Sequence, residues 1–193
     1  MLMRRTALAA SLLLALPAAA STATAAATAL HCGDVFDAKS GRLIGAQTVV
    51  VEAGRVTALR PGKVEVPGAT VIDLAGHTCS PGWIDLHVHV GSESNPNSYS
   101  EGFRLDDVDF ALRATQYVRR TIEAGFTTVR DLGGEIAPNL RDAINAGTIP
   151  GPRIFAAGKS IATTGGHADP TNGLNTRFAS LVGPPGPTEG VIN

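Results

Sequence analysis

An alternation of strand and helix patterns between residues 83 and 157 most limits the folds open to this chain. Residues 83–90, 126–131 and 153–157 have the composition of strands. The intervals between them hold two helical patterns, residues 106–124 and 138–146. This order predicts parallel βαβ units, because parallel strands need a crossover connection. Either an open doubly wound sheet or a (β/α) barrel fits it.

The longer helical pattern, residues 106–124, predicts a helix packed on the sheet. Its first turn is acidic and its last turns carry Arg119 and Arg120, which suits the helix macrodipole. Gly125 follows as a stop residue. Spacing by three and four residues predicts that one face is buried. We expect that face to consist of Val108, Leu112, Thr115, Val118 and Ile122.

The composition argues against a nucleic-acid partner. The net charge is -1, aromatic residues make up 5% of the chain, and no basic stripe is present. Nucleic-acid-binding domains usually carry such a basic patch. No Gly-rich phosphate-binding pattern opens a helix after any of the predicted strands, so nucleotide binding is not expected either.

The first 28 residues predict a secretory signal peptide. Arg4 and Arg5 precede an apolar run, residues 7–16, which is too short to span a bilayer. An Ala- and Thr-rich tract with small residues at possible cleavage sites follows. We therefore expect a secreted or periplasmic protein without a stable membrane anchor. A disordered Ala-rich tail is the alternative interpretation.

Residues 29–80 predict a small β-domain. Strand patterns cover residues 30–36, 47–52, 55–59 and 70–74, and Ala53-Gly54 forms a tight hairpin turn. The two cysteines, Cys32 and Cys79, lie in this region. Export would permit a disulfide between them. We nevertheless expect two buried free thiols.

The stretch "SPGWIDLHVHV", residues 80–90, carries polar side chains inside an apolar strand. Side chains alternate along a strand, so Asp85, His87 and His89 should share one face with Trp83. Ile84, Leu86, Val88 and Val90 should share the other face, against the helices. Burying unpaired polar groups costs about 1–3 kcal/mol each, so the polar face needs a partner.

A metal ion would satisfy the two histidines. Imidazole nitrogens bind zinc at about 2.0–2.1 Å, and two histidines on one strand face can reach the same ion. Asp85 could accept a hydrogen bond from a ring N–H and orient it. The pair also lies at the carboxyl end of the first strand of the βα series, where barrel enzymes place their chemistry. We predict His87 and His89 as metal ligands.

Three segments carry a family resemblance. "VIDLAGHTCSPGWIDLHVHV" resembles the entry to the barrel in the metal-dependent amidohydrolase superfamily. "EAGFTTVRDLGG" and "GPRIFAAGKSIATTGGHAD" resemble its Xaa-Pro dipeptidase-like and carboxypeptidase-like branch, which is related to the imidazolonepropionases. The resemblance covers about residues 30–180. It implies a β-sandwich portion at 29–80, then an incomplete α/β fold at 81–193. That second part would be the N-terminal part of a (β/α)8 TIM-like barrel with about three βα units and a Gly/Pro-rich C-terminal loop.

The resemblance also implies a metal site that this chain supplies only in part. In the family the two strand-one histidines bind the first metal, Zn2+ or another divalent ion, and the complete enzyme holds two. A strand-four lysine, histidines from strands five and six and a strand-eight aspartate complete the site. The last histidine here is His167 and the last lysine is Lys159, which we interpret as a solvated loop cation. We expect no catalytic residue in this fragment and no activity from it alone.

The implied reaction is hydrolysis of an amide or peptide C–N bond by metal-activated water. The expected substrates are dipeptides or N-acyl amino acids with a free carboxylate. An imidazolonepropionase-like cyclic amidohydrolase is one alternative, and a non-catalytic, truncated product that binds a metal or a partner is another. His167 is expected to contact the substrate, or to be an ordinary loop histidine. Asp131 is expected to form a loop cap or an ion pair.

Overall fold

A computed structural model describes residues 27–192 of the chain. The predicted signal peptide, residues 1–28, falls outside these residues except for its last two. The described residues divide into two compact units, the first ending at Ser80 and the second beginning at Pro81. No helix in the described part is long and apolar enough to cross a bilayer.

The described part of the first unit is a five-stranded sheet. Its strands are β1 (Thr28–Asp37), β2 (Arg42–Leu43), β3 (Gln47–Glu52), β4 (Arg55–Pro61) and β5 (Thr70–Cys79). Antiparallel pairing gives the order β2-β1-β3-β4, and β5 pairs with β1 in parallel. Ala53 and Gly54, with φ of 47° and 73°, form the predicted tight turn between β3 and β4.

A disulfide between Cys32 and Cys79 joins β1 to β5. The expectation of two free thiols was therefore wrong. The reason is the length of β5, which runs on to Cys79 beyond the predicted end at residue 74. β5 pairs in parallel with β1 through a register shift between Cys32 and Asp34, and the two cysteine Cα atoms lie 5.9 Å apart, within reach of a bridge.

The second unit has a mixed α/β fold around three parallel strands. These are β6 (Trp83–Val88), β7 (Phe126–Asp131) and β8 (Arg153–Ala156), in the order β6-β7-β8. Helix α2 (Asp107–Glu123) connects β6 to β7, and α3 (Ala137–Asn145) connects β7 to β8. The prediction of parallel βαβ units is confirmed.

Short helices that the sequence patterns did not indicate complete this unit. They are α1 (Ser98–Glu101), α4 (Thr176–Val182) and a 3-10 turn at Pro187–Glu189. Helix α4 begins where the side chain of Asn175 accepts hydrogen bonds from the main-chain N–H groups of Arg177 and Phe178. Elements this short contain too few turns to show a helical period.

Helix α2 begins with a capping box in which Asp106 and Asp109 accept each other's main-chain N–H groups. The expected buried face was only partly right. Val118 is fully buried, but Val108 and Leu112 are 65% and 66% exposed. Ala114, which the expected face did not include, is also fully buried. The core it joins comprises Val90, Ala114, Val118, Val129, Ile136, Ala137, Leu140 and Ile154.

The three-stranded sheet has open edges within the described residues. β8 pairs with β7 on one side and with no strand of residues 27–192 on the other. Ile84, Leu86 and Phe155 are each about three-fifths exposed. An open edge beside exposed apolar side chains is a surface on which further β-structure can pair.

Candidate metal and substrate site

The candidate site lies at the carboxyl ends of the parallel strands. His87 is the next-to-last residue of β6, and His89 is the first residue after the strand ends. Asp131 is the last residue of β7. The loop after β8 carries Ser160 and His167. Parallel strands end at one edge of their sheet, so these distant segments meet there.

The two histidines form a close pair. Their ring centroids are 5.6 Å apart and their planes are inclined by 71°. Both side chains are exposed. The Nδ1 atom of His89 lies 2.8 Å from the carbonyl oxygen of Gly133. The ring of His89 is thus held by the loop after β7, and its other nitrogen remains available for a ligand.

Asp85 orients the main chain of this strand rather than an imidazole ring. Its Oδ1 accepts the main-chain N–H of His87 at 2.9 Å. We expected Asp85 to accept a hydrogen bond from an imidazole N–H. The ring of His89 bonds to the carbonyl of Gly133 instead, so that expectation is corrected. The register of β6 against β7 shifts between Asp85 and Val88.

That shift also breaks the expected alternation of faces. Asp85 is paired with Val129, which is fully buried in the core. Together with Tyr117 and Thr121 of α2, Asp85 lines an open cavity of about 460 Å³ on the helix side of the sheet. His89 also lines this cavity, whereas His87 does not. Ile84 and Leu86, expected to pack on helices, are instead largely exposed. An irregular strand does not keep a period of two residues.

The predicted histidines line a single open cavity of about 710 Å³. His87, His89 and His167 all contribute to its wall, as do Lys159 and Glu135. No group of three or more His, Cys, Asp or Glu side chains in residues 27–192 is arranged to hold a metal ion. The structure therefore brings His87 and His89 together and adds His167 to the same cavity, without completing a ligand set.

Lys159 forms an ion pair with Glu135. Its Nζ lies 2.9 Å from Oε1 of Glu135 and also donates to the carbonyl of Thr188 at 2.9 Å. The hydrogen bond with Glu135, assisted by the charges of Glu135 and Glu189, raises the pKa of Lys159. Our interpretation of Lys159 as a simply solvated cation was incomplete, because loop residues on both sides of it provide partners.

Asp169 organises the loop that carries His167. This carboxylate is buried and accepts hydrogen bonds from the N–H of Gly165 and from both the N–H and the hydroxyl of Thr171. The hydrogen bond from Gly165, followed by those from Thr171, lowers the pKa of Asp169. The sequence analysis missed this role. The local signal was the spacing Asp-x-Thr, since Asp side chains commonly bond the chain two residues on.

Asp131 caps the loops at the ends of two strands. Its Oδ2 accepts the N–H of Val90 at 2.7 Å, and its Oδ1 accepts the N–H of Gly133 at 3.0 Å. The loop-cap alternative is therefore confirmed over the ion pair. The neighbouring Arg130 donates from Nε to the carbonyl of Leu86 at 2.8 Å, which ties β7 to β6.

The family model for amidohydrolases matches residues 78–186, more than half of the chain. The chain belongs to the amidohydrolase family. The matched residues of this amidohydrolase include the histidine pair, the Asp131 cap and the His167 loop.

Similar proteins include a Xaa-Pro dipeptidase, a prolidase and an ochratoxinase. A crystal structure of a Xaa-Pro dipeptidase with bound methionine is 39% identical, with a TM-score of 0.75, over 86% of this chain and 41% of that one. A prolidase complexed with N-methylphosphonate-L-proline is 32% identical, with a TM-score of 0.64, over 80% and 38%. Ochratoxinase from Aspergillus niger is 32% identical over 90 residues, 46% of this chain and 18% of the ochratoxinase. The chain thus spans less than half of each relative.

Proposed function

We propose that this amidohydrolase chain is the N-terminal part of a metal-dependent hydrolase that cleaves amide bonds in dipeptides or N-acyl amino acids. The observation that carries the proposal is the close pairing of His87 and His89 at the carboxyl ends of parallel strands. In (β/α) barrels that end of the sheet is where catalytic residues collect. The similarity to a Xaa-Pro dipeptidase and a prolidase supports a substrate with a free carboxylate.

The donor chemistry of the histidine pair fits a divalent metal. Neutral imidazole nitrogens are common zinc ligands, and His89 has one ring nitrogen anchored on a carbonyl with the other free. His87 and His89 would hold the first of two ions, Zn2+ or another divalent metal. Such an ion, when bound, supplies an activated water and polarises the scissile carbonyl. The remaining ligands would come from barrel strands beyond the three described.

Other residues that line the cavity shared by His87 and His89 would meet the substrate. His167 extends from a loop that Asp169 holds rigid through three hydrogen bonds. It lines the same cavity as the two candidate ligands. We assign it contact with the scissile carbonyl or the substrate carboxylate. Lys159, which lines the same cavity, is paired with Glu135 instead.

We also propose that the protein is exported. The N-terminal residues have the pattern of a signal peptide. The Cys32–Cys79 disulfide supports an oxidising compartment such as the periplasm or the extracellular space.

The decisive experiment assays the protein produced from its complete gene. A panel of Xaa-Pro and other dipeptides, N-acyl amino acids and imidazolone propionate would be tested before and after metal removal. His87→Asn and His89→Asn should each lower kcat/KM by more than about 100-fold, since even groups that merely orient metal ligands are worth 10- to 100-fold. His77→Asn, an exposed histidine of β5, is the matched control and should leave activity unchanged.

Three results would contradict the proposal. Full activity in both ligand variants would exclude the histidine pair from the reaction. Hydrolysis of imidazolone propionate without dipeptide cleavage would favour the cyclic-amide alternative. Absence of hydrolysis with every substrate and metal would favour a binding protein.

A further inference from the structure

We propose that Asp131 is a positioning residue that fixes both the orientation and the tautomer of His89 through the carbonyl of Gly133. The sequence suggested a loop cap or an ion pair at this position. The geometry extends the loop-cap role to the imidazole itself. The consequence for metal binding rests on the proposed function, whereas the tautomer does not.

The buried carboxylate of Asp131 ties together the segments on either side of His89. It is fully buried, and each of its oxygens accepts a main-chain N–H, from Val90 and from Gly133. Val90 is the residue directly after His89. The carbonyl of Asp131 accepts the N–H of Ala157 at 3.0 Å, so the same residue also bonds the end of β8.

Gly133 connects Asp131 to the imidazole ring of His89. Its N–H is held by Asp131, and its carbonyl lies 2.8 Å from Nδ1 of His89. A carbonyl oxygen can only accept, so Nδ1 must carry the hydrogen. In the neutral ring Nε2 is then unprotonated. The carboxylate of Asp131 therefore fixes the main chain beside His89. It also holds Gly133, whose carbonyl determines the tautomer of His89.

The loop around Gly133 has little room to move. The hydroxyl of Ser160 donates to the carbonyl of Leu132 at 2.9 Å, and the N–H of Gly134 donates to the carbonyl of Gly158 at 3.0 Å. A Cβ added at Gly133 would come within 2.0 Å of the Ser160 hydroxyl oxygen. A larger residue at 133 would thus push on Ser160 and shift the carbonyl that His89 contacts.

The test measures the tautomer of His89 directly. The protein from its complete gene would be labelled with 15N-histidine, freed of metal, and studied by NMR, with His89→Gln used to assign the signals. Wild-type His89 should show the Nδ1–H form. In Asp131→Asn an amide replaces one accepting oxygen, so one of the two N–H bonds is lost. We expect mixed tautomers and a roughly 10- to 100-fold weaker zinc affinity in chelator competition.

Asp169→Asn is the matched control. Asp169 is also buried and also accepts main-chain N–H groups beside the cavity, but it does not contact Gly133 or Val90. It should leave the tautomer and the zinc affinity of His89 at wild-type values. A general loss of packing would affect both variants alike.

A second pair of variants covers the case in which Asp131→Asn does not fold. Gly133→Ala should disturb the tautomer because of its collision with Ser160. Gly133→Ala combined with Ser160→Ala should restore it, since the closest atom, the hydroxyl oxygen, is gone. An unchanged Nδ1–H tautomer in Asp131→Asn overturns the proposal, and so does a Gly133→Ala variant in which the amide signals of residues 133 and 134 shift while the tautomer stays the same. Failure of the hydrolase assay leaves the tautomer result intact, so the two proposals fail separately.

Discussion

The carboxylate of Asp169 accepts the main-chain N–H of Gly165 at 2.6 Å and so closes the loop that carries His167. The hydrogen bond from Gly165 is the largest cause of the lowered pKa of Asp169. A carboxyl with a lowered pKa in the folded state contributes stability at pH values above its unfolded pKa, about 3.9. That contribution is lost as the pH falls through the lower, folded value.

We therefore expect the loop between residues 163 and 171 to stay ordered through mildly acidic pH and to open below the ordinary range of Asp. Hydrogen exchange at the Gly165 amide should be slow at pH 5 and should speed up, relative to its intrinsic rate, in stronger acid. In Asp169→Asn the same amide should exchange rapidly at both pH values. Equal protection in the variant and the wild type would show that the carboxylate does not hold the loop.

Replacing both cysteines by serine should destabilise the first unit. Cys32 and Cys79 are separated by 47 residues, and removing a native disulfide typically costs about 2–5 kcal/mol. Thermal unfolding of the double variant, compared with the oxidised wild type, measures the loss. Mass spectrometry after alkylation without reductant should find no modified cysteine in the wild type. Alkylation at both positions would restore our original expectation of free thiols.

Two valines on α2 test whether the buried face of this helix is the one in the structure or the one expected from periodicity. Val118 is fully buried, whereas Val108 is 65% exposed. Val118→Ala should lower the free energy of unfolding by about 1.5–3 kcal/mol, the usual contribution of a fully buried side chain of this size. Val108→Ala should change it by no more than about 0.5 kcal/mol. Similar losses in denaturant unfolding of the two variants would indicate that a further segment covers Val108.

The 193-residue chain expressed by itself should aggregate and should not hydrolyse dipeptides. Ile84 and Leu86 of β6 and Phe155 of β8 are exposed on the two edge strands of this sheet, and unpaired edges promote association between chains. Two histidines also fall short of the three or four protein ligands of ordinary zinc sites. Light scattering and a thermal scan test the first part. A monomer with a sharp, cooperative unfolding transition would contradict it.

Much of the second unit could be predicted because its signals are local. The bounds of β7 agree with its sequence pattern at both ends, and α2 differs from its pattern by one residue at each end. The strand that carries His87, with His89 directly after it, was found from the pattern of polar residues within an apolar run. The Gly/Pro-rich segment after β8 gave no such signal, and α4 was missed there because its seven residues form only two turns.

The sequence by itself determined the parallel βαβ order and the place of His87 and His89 at a strand end, since periodicity and motif are properties of neighbouring residues. Only the tertiary structure decided which groups hold those residues. The Cys32–Cys79 bond depends on the parallel pairing of β1 with β5. The link from Asp131 through Gly133 to His89 depends on the register of β6 against β7. These contacts join segments 40 or more residues apart, so they depend on which strands pair and in which register, and that follows from the packing of the whole chain.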